Sequence, residues 1–438
     1  MAGGVWAAQN KVRPGVYINF VNDGGSIGAI GERGTAAIGL PLSWGPAKQM
    51  IRIQAGENVK DILGYTITSS QLLLIREVLK RASTLLLFRL NAGTKASAVI
   101  GALTGTAAHG GVRGNDLSLI VQTNIDDNSK FDVTTVLDGD SIETQTVSQV
   151  DELKPNDWVS FSGTGSLTLT AGAALTGGDD GSATNADHSE FLAALELEDF
   201  QTVALTASDN TLKSVYSAFA RRLRESDGKK IQAVLANYPL ANHEGVISVK
   251  NGVVLSDGTS LSAAQATAWV AGATAAAGVA ESLTYQSYDD AADALPRYTN
   301  SQTIAALEAG EFLFTANNGR AIVEQDINNL ISYGGEKGKA FRKNRVIRVL
   351  DGIGNDIKRI FEQYYLGKVN NNADGRNLLK SEIVTYLTGL QDSNAIQNFD
   401  SQTDIAVLQG ADSDSVTVEA SIQPVDSVEK IYMKVKVK

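Results

Sequence analysis

Apolar and polar positions change their spacing several times along the 438-residue chain. Near the start, Val16, Ile18 and Phe20 alternate with Tyr17 and Asn19 behind Pro14, which disfavours helix, so Val12 to Val21 reads as an extended arm. Glycines cluster from Gly24 to Gly34, after which Thr35 to Leu40 predicts a buried strand. Leu72, Ile75, Leu79 and Ala82 recur at helical spacing and predict a helix over 69–82, with Thr68 and Gln71 placed as a capping box. Thr84 to Leu90 predicts the next strand and completes an α/β unit.

From about Ser97 to Gly181 the residues Thr, Ser, Val, Asp and Gly dominate. Short alternating runs there, such as Phe131 to Leu137 and Trp158 to Leu169, predict an inserted all-β domain. Strand patterns at Phe200 to Thr206, Lys230 to Ala236 and Glu311 to Ala316 then alternate with helical patterns at Asn210 to Arg224, Ser262 to Ala277 and Ser301 to Glu308. That alternation predicts a second α/β core with partly parallel strands. Helices over Val346 to Tyr365 and Leu378 to Leu390 follow, separated by the turn-rich stretch from Asn370 to Gly375. Two strands close the chain. Val416, Val418, Ala420 and Ile422 share one face of the first. In the second, Ile431, Met433, Val435 and Val437 lie opposite Tyr432, Lys434, Lys436 and Lys438, and nothing sequential remains to cover its edge.

The reading is a multi-domain α/β and α+β protein: a linker arm over 1–22, an α/β part over 23–96, an inserted β domain over 97–181, a central α/β domain over 182–325, and a C-terminal α+β domain over 326–438 ending in an arm strand at 431–438. Length agrees, because a single core stops growing near ~250–300 residues. With 43% hydrophobic and 20% charged residues the chain has a globular composition. The longest apolar runs, Leu72 to Ile75 and Leu85 to Phe88, fall far short of the roughly 20 residues that span a bilayer. Met1 to Lys11 lacks the pattern of a secretory signal, so cytoplasmic synthesis is expected. The absence of cysteine excludes disulfides, thiolate zinc sites and cysteine nucleophiles. A net charge of −11 argues against general nucleic-acid binding.

Candidate chemistry is sparse. Gly258-Thr259-Ser260-Leu261-Ser262, followed by Val270-Ala271-Gly272-Ala273, is similar to the nucleophile segment of subtilisin-type proteases. A hydroxyl of this kind needs a converging base and acid. The three histidines, His109, His188 and His243, stand in none of the contexts of that family, so a helix cap is favoured over a serine hydrolase using Ser260. Gly28 to Gly34 departs from the Gly-x-Gly-x-x-Gly pattern and reads as a turn. Asp179-Asp180 within Gly177 to Gly181 lacks the spaced oxygen ligands of an EF-hand and also reads as a turn. No cofactor or metal is expected. The cationic exception is Lys337, Lys339, Arg342, Lys343, Arg345 and Arg348, with no acid between Lys337 and Arg348. Phe341 is the only ring in that run, so base stacking is unsupported and an acidic protein surface is the favoured partner.

Four stretches in order carry a family resemblance: Arg13 to Tyr17, Arg33 to Pro46, Leu175 to Gly181, and Arg345 to Ile353 with the closing strands. They resemble contractile bacteriophage tail sheath proteins, particularly those of Gram-positive phages and PBSX-type prophages. The resemblance implies a central subtilisin-like domain without protease activity, an outward-facing β insertion, and residence in the virion tail. It further implies stacked hexameric rings around an inner tube, held by terminal arms that add strands to neighbouring subunits. These would contract from a metastable extended state to drive the tube through the host envelope. Carried over by position, the arm residues are Val12, Val16, Tyr17, Ile18, Phe20, Ile431, Met433, Val435 and Val437. The C-terminal domain faces the tube in that family, which makes the six basic residues tube-contact candidates. Implied partners are further copies of the chain, the tail tube protein, and baseplate and tail terminator proteins, with no direct nucleic acid and no membrane insertion. Another self-assembling surface or capsid protein would explain the arms but not the combined motifs.

Overall fold

The computed structural model describes residues 2–4, 15–17, 31–335 and 337–437, arranged as two units. The smaller comprises Met1–Gly31 and Asp356–Pro424, the larger Glu32–Asn355 and Val425–Lys438. In the smaller unit, strands β1 (Ala2–Gly4) and β2 (Gly15–Tyr17) pair in parallel.

The larger unit begins with β3 (Thr35–Leu40), β4 (Met50–Gln54), the short helix α1 (Lys60–Leu63), α2 (Leu73–Leu79) and β5 (Thr84–Arg89). A β-sandwich follows. One of its sheets joins β6 (Ser97–Ile100), β7 (Leu103–Ala107) and β11 (Val159–Ser162). The other joins β8 (Leu117–Thr123), β9 (Phe131–Leu137), β10 (Asp140–Val147) and β12 (Thr170–Ala174). Leu103, Leu117, Leu119, Val133 and Trp158 pack between them. The chain re-enters the α/β core through α3 (Asn185–Leu195), β13 (Thr202–Ala204), α4 (Asn210–Glu225), β14 (Gln232–Ala236) and β15 (Val246–Val249). Next come β16 (Gly252–Leu255), β17 (Ser260–Leu261), α5 (Ala263–Ala276), β18 (Ala291–Leu295), α6 (Asn300–Glu308), β19 (Glu311–Phe312), and a hairpin of β20 (Phe314–Asn317) and β21 (Arg320–Val323).

The core sheet runs β19-β15-β14-β13-β3-β5-β4, parallel throughout except for β4 on the edge. Its central strands are continuous apolar runs because both faces are covered. Period-two alternation deals their side chains to two cores. Ala36, Ile38, Leu85 and Leu87 face α2 and α5, while Ala37, Leu86 and Phe88 face α3 and α4. Helix α5 consists mostly of small residues and is buried nearly all round. Gly272 lets it approach α2 so closely that an added Cβ would lie 2.3 Å from the Val78 carbonyl oxygen.

Helix α7 (Asn344–Ile360) contributes residues to both units, which divide at 355/356. In the smaller unit it is followed by a π-turn over Phe361–Tyr365, α8 (Ala373–Asp392), and two short sheets. These pair β22 (Ile396–Gln397) with β25 (Gln423–Pro424), and β23 (Ile405–Gln409) with β24 (Val416–Ala420). Asp356 accepts from the Tyr386 hydroxyl at 2.9 Å and from the Gly31 N–H at 2.9 Å.

Several local expectations are corrected. The helix expected over 69–82 is a 3-10 turn, Ser70–Leu72, running into α2, and no capping box forms, since the Thr68 hydroxyl bonds that of Thr66 at 3.1 Å. The alternation from Trp158 to Leu169 yields only β11, because Gly163 and Gly165 turn the chain at φ +120° and +108°. Helix α8 starts at Ala373, five residues before the expected Leu378, because Asn372 caps it by accepting from the Gly375 N–H.

Candidate assembly site

The motif around Trp44 and the motif around Asp180 meet at the neck of the β-sandwich. Asp180 accepts from the Ser43 hydroxyl (2.9 Å) and the Val112 N–H (2.8 Å), and its carbonyl accepts from Asn91 Nδ2 (2.6 Å). Asn91 also holds both backbone groups of Leu42, at 2.7 and 2.8 Å. The buried Arg89 donates to the carbonyls of Gly45 and Gly110, each at 2.7 Å. Trp44 stacks on Trp158 at 5.1 Å and meets His109 edge-on at 5.2 Å. Gly111, at φ +131°, passes so near Ser43 that a Cβ would lie 2.0 Å from its carbonyl oxygen. The Gly-Gly-Asp-Asp-Gly turn is therefore a tie. Both strands of the neck are fastened to segment 42–45, a rigid attachment rather than a swivel.

The cationic run divides into two groups. Lys337 pairs with Glu244 at 2.7 Å, and Lys343 pairs with Glu429. Arg348 is corrected as a contact candidate: it and Asp326 are each 1% exposed and ion-paired, and Arg348 also donates to the Glu281 carbonyl at 2.7 Å. A second buried pair, Arg224 with Asp351 at 2.6 and 2.7 Å, adds to the attachment of α7 within the larger unit. The remaining three residues differ. Lys339 is exposed, Arg342 and Arg345 are half-buried, and none forms an ion pair among the described residues. Nε and Nη2 of Arg342 and Nε of Arg345 are buried with no acceptor among the described residues.

At the termini, Val12, Ile18 and Phe20 lie outside the described residues, while Val16 and Tyr17 belong to β2. Ile431, Met433, Val435 and Val437 form an extended tail without a ladder partner, their side chains 75% to 94% exposed. The alternating pattern that predicted a strand is present, and its partner is not supplied among the described residues.

No nucleophile is assembled at Ser260, which is exposed on β17 and makes no hydrogen bond to a histidine among the described residues; its neighbour Ser262 caps α5 in a capping box with Gln265. His188 Nδ1 meets the Tyr216 hydroxyl at 2.8 Å, and burial lowers its pKa. His243 Nε2 lies 3.1 Å from Glu225 while its Nδ1 accepts from the Gly245 N–H, and burial outweighs the nearby carboxylates to lower its pKa as well. The crevice beyond the carboxyl ends of β3 and β13, where strand order reverses and open α/β sheets bind ligands, is lined by Leu40, Leu74, Leu90, His188 and Thr206 and by no carboxylate.

Four family models tile the chain: the N-terminal region of tail sheath protein Gp18 domain III over 33–90, the phage tail sheath beta-sandwich domain over 91–180, the phage tail sheath central domain over 181–329, and the phage tail sheath C-terminal domain over 336–438. The Phage-like element PBSX protein XkdK of Bacillus subtilis is 39% identical over the full length of both chains. The chain belongs to the phage tail sheath family. A sheath tail protein of Desulfitobacterium hafniense superposes with a TM-score of 0.88 at 60% identity, covering 97% of this chain and 100% of that one. A second, from Listeria innocua, gives 0.81 at 42% identity, covering 92% and 94%. The sheath subunit is thus a structural component of a phage tail and not an enzyme. In this sheath subunit, Asp326 and Glu429 escaped sequence reasoning. For Asp326 a signal existed: Arg348 sits in Val346-Ile347-Arg348-Val349-Leu350, where a charge among apolar neighbours must find a buried partner.

Proposed function

We propose that copies of this chain polymerise by strand donation into stacked hexameric rings around a tail tube, forming a contractile sheath. The observation that carries this reading is the tail from Ile431 to Val437, an alternating segment with unpaired backbone and exposed apolar side chains. A soluble chain manages such an edge by pairing it, and a second copy supplies the pairing. The β23–β24 hairpin is the favoured acceptor. It is a two-stranded sheet that pairs no further strand among the described residues, packs on α8, and exposes Leu408 and Val418. The N-terminal arm, Val12 to Val21, takes the complementary role. The central α/β sheet is the subtilisin-like sheath domain, with Ser262 serving as a helix cap.

Lys339, Arg342 and Arg345 are the remaining tube-contact residues, facing an acidic surface on the tube. Baseplate and terminator proteins bound the polymer at its ends. Contraction follows from rigid-body shifts of subunits whose donated strands stay paired, and the energy resides in a metastable extended lattice, so no nucleotide is consumed. Removing 431–438 tests the carrying step. Negative-stain microscopy is expected to show discrete particles in place of tubes or rings, with the circular dichroism of the chain unchanged. Tubes from the truncated chain would refute strand donation by this tail.

A further inference from the structure

Burial is inverted near the root of the tail. Val428 is 87% exposed and Ile431 83%, yet the carboxylate between them, Glu429, retains only 11% of its side-chain exposure. An unanchored tail would bury its apolar groups before a charge, because desolvating a carboxylate is costly unless it is paired and hydrogen-bonded. Glu429 is both. Oε1 accepts from the Thr284 hydroxyl at 3.0 Å, Oε2 accepts from Gln325 Nε2 at 2.6 Å, and Lys343 Nζ pairs with Oε2. Asp426 adds a weaker contact to the same lysine at 3.9 Å.

The three donors come from separate segments, and each is a chain neighbour of the buried network around Asp326. Thr284 follows Leu283, whose N–H donates to Asp326 at 3.0 Å. Gln325 precedes Asp326 itself. Lys343 precedes Asn344, whose side-chain amide donates to Asp326 at 2.9 Å. The Thr284 hydroxyl is further fixed by accepting from the Asp326 N–H at 3.0 Å. Tyr285, next in the chain, is held at φ +64°, a strained conformation for a bulky residue and one that clusters at functional positions. A socket locked from behind in this way is preorganised for its carboxylate.

We propose that Glu429 is the anchor of the C-terminal arm, clasped by Thr284, Gln325 and Lys343 of its own subunit, so that the free, donated segment begins at Lys430. The proposal rests on the strand-donation reading above and adds a fixed pivot to it. Lys343 is thereby a positioning residue for the arm and not a tube contact. At ~3.3 Å per extended residue, Lys430 to Lys438 can span about 30 Å from the anchor. Burial raises the Glu429 pKa, but the three donors more than offset it and hold the carboxyl below its ordinary value, in keeping with a docked anion.

The absence of cysteine makes a single engineered thiol a clean label site. Nitroxide at Val428→Cys is expected to report slow motion in the dilute chain, and nitroxide at Val435→Cys fast motion. Adding Glu429→Ala should bring the Val428 label to within about twofold of the Val435 correlation time, and Lys343→Met should do the same independently. Unchanged motion of the Val428 label in both variants would overturn the clasp. Assembly separates this result from the underlying reading. If the clasp variants free the label while removal of 431–438 still leaves tubes, the anchor stands and strand donation fails. If truncation abolishes tubes while the label never moves, the reverse holds.

Discussion

Asp326 accepts from three groups: the Leu283 N–H, the Asn344 amide and the Arg348 guanidinium. Removing it strips the acceptor from all three, whereas removing Arg348 leaves the carboxylate with two donors. Breaking a buried pair from one side costs about 3–5 kcal/mol. Asp326→Ala is therefore expected near the top of that range and Arg348→Met nearer the bottom, measured by urea denaturation of the dilute chain. An equal cost would mean that the two amide donors contribute nothing. The same pair shows how far single residues were legible. Six basic residues in sequence looked like one surface, but their partners, Glu244, Asp326 and Glu429, lie 93, 22 and 86 positions away. Charge spacing along a chain carries no information on such pairings. Apolar neighbours do, and the residues flanking Arg348 marked it as internal.

Elements were most legible where one physical cause dominates. Within Thr35 to Leu40 and Thr84 to Arg89, the runs Ala36 to Leu40 and Leu85 to Phe88 are uniformly apolar because a parallel strand covered on both faces has no polar side, and both strands form as expected. Boundaries failed where local chemistry competes, as at Gly163 and Asn372. The tail from Ile431 to Val437 shows a different limit, since its alternation is real but a strand exists only with a partner. Helix geometry also decides the sign of two glycine substitutions. In an open helix, Gly→Ala gains about 1 kcal/mol from helix propensity. Gly389 on α8 has open space around an added Cβ, so Gly389→Ala should stabilise by about that amount. At Gly272 the new methyl meets the Val78 carbonyl, a backbone atom that moves only if α2 moves, and overpacking of this kind costs about 1–3 kcal/mol. Gly272→Ala should therefore destabilise despite its better propensity. Thermal melts that shifted both variants in the same direction would contradict the close approach of α2 and α5.

At the scale of the whole molecule, charge is distributed unevenly. Residues 91–180, the sandwich, hold twelve acidic against four basic residues and so most of the net −11. The α/β core and C-terminal part are close to balanced, which makes Lys339, Arg342 and Arg345, without an ion pair among the described residues, a local positive field. An acidic sandwich on the outside of a polymer would keep neighbouring particles apart, while a basic inner surface would favour an acidic tube. Reversing Lys339, Arg342 and Arg345 to Glu tests that division. Arg342 directly precedes Lys343 and, like Arg345, is half-buried, but none of the three side chains donates to Glu429 or forms an ion pair among the described residues, so the dilute chain should keep the circular dichroism of the parent. If donated strands carry polymerisation as proposed, tube-free polymers should persist. Co-sedimentation with purified tube should fall at least tenfold, and the parent's own binding should weaken between 50 and 300 mM salt, roughly as screening at those ionic strengths requires. Loss of tube-free polymers as well would place these cations in the subunit lattice. Undiminished tube binding would remove the electrostatic contact altogether.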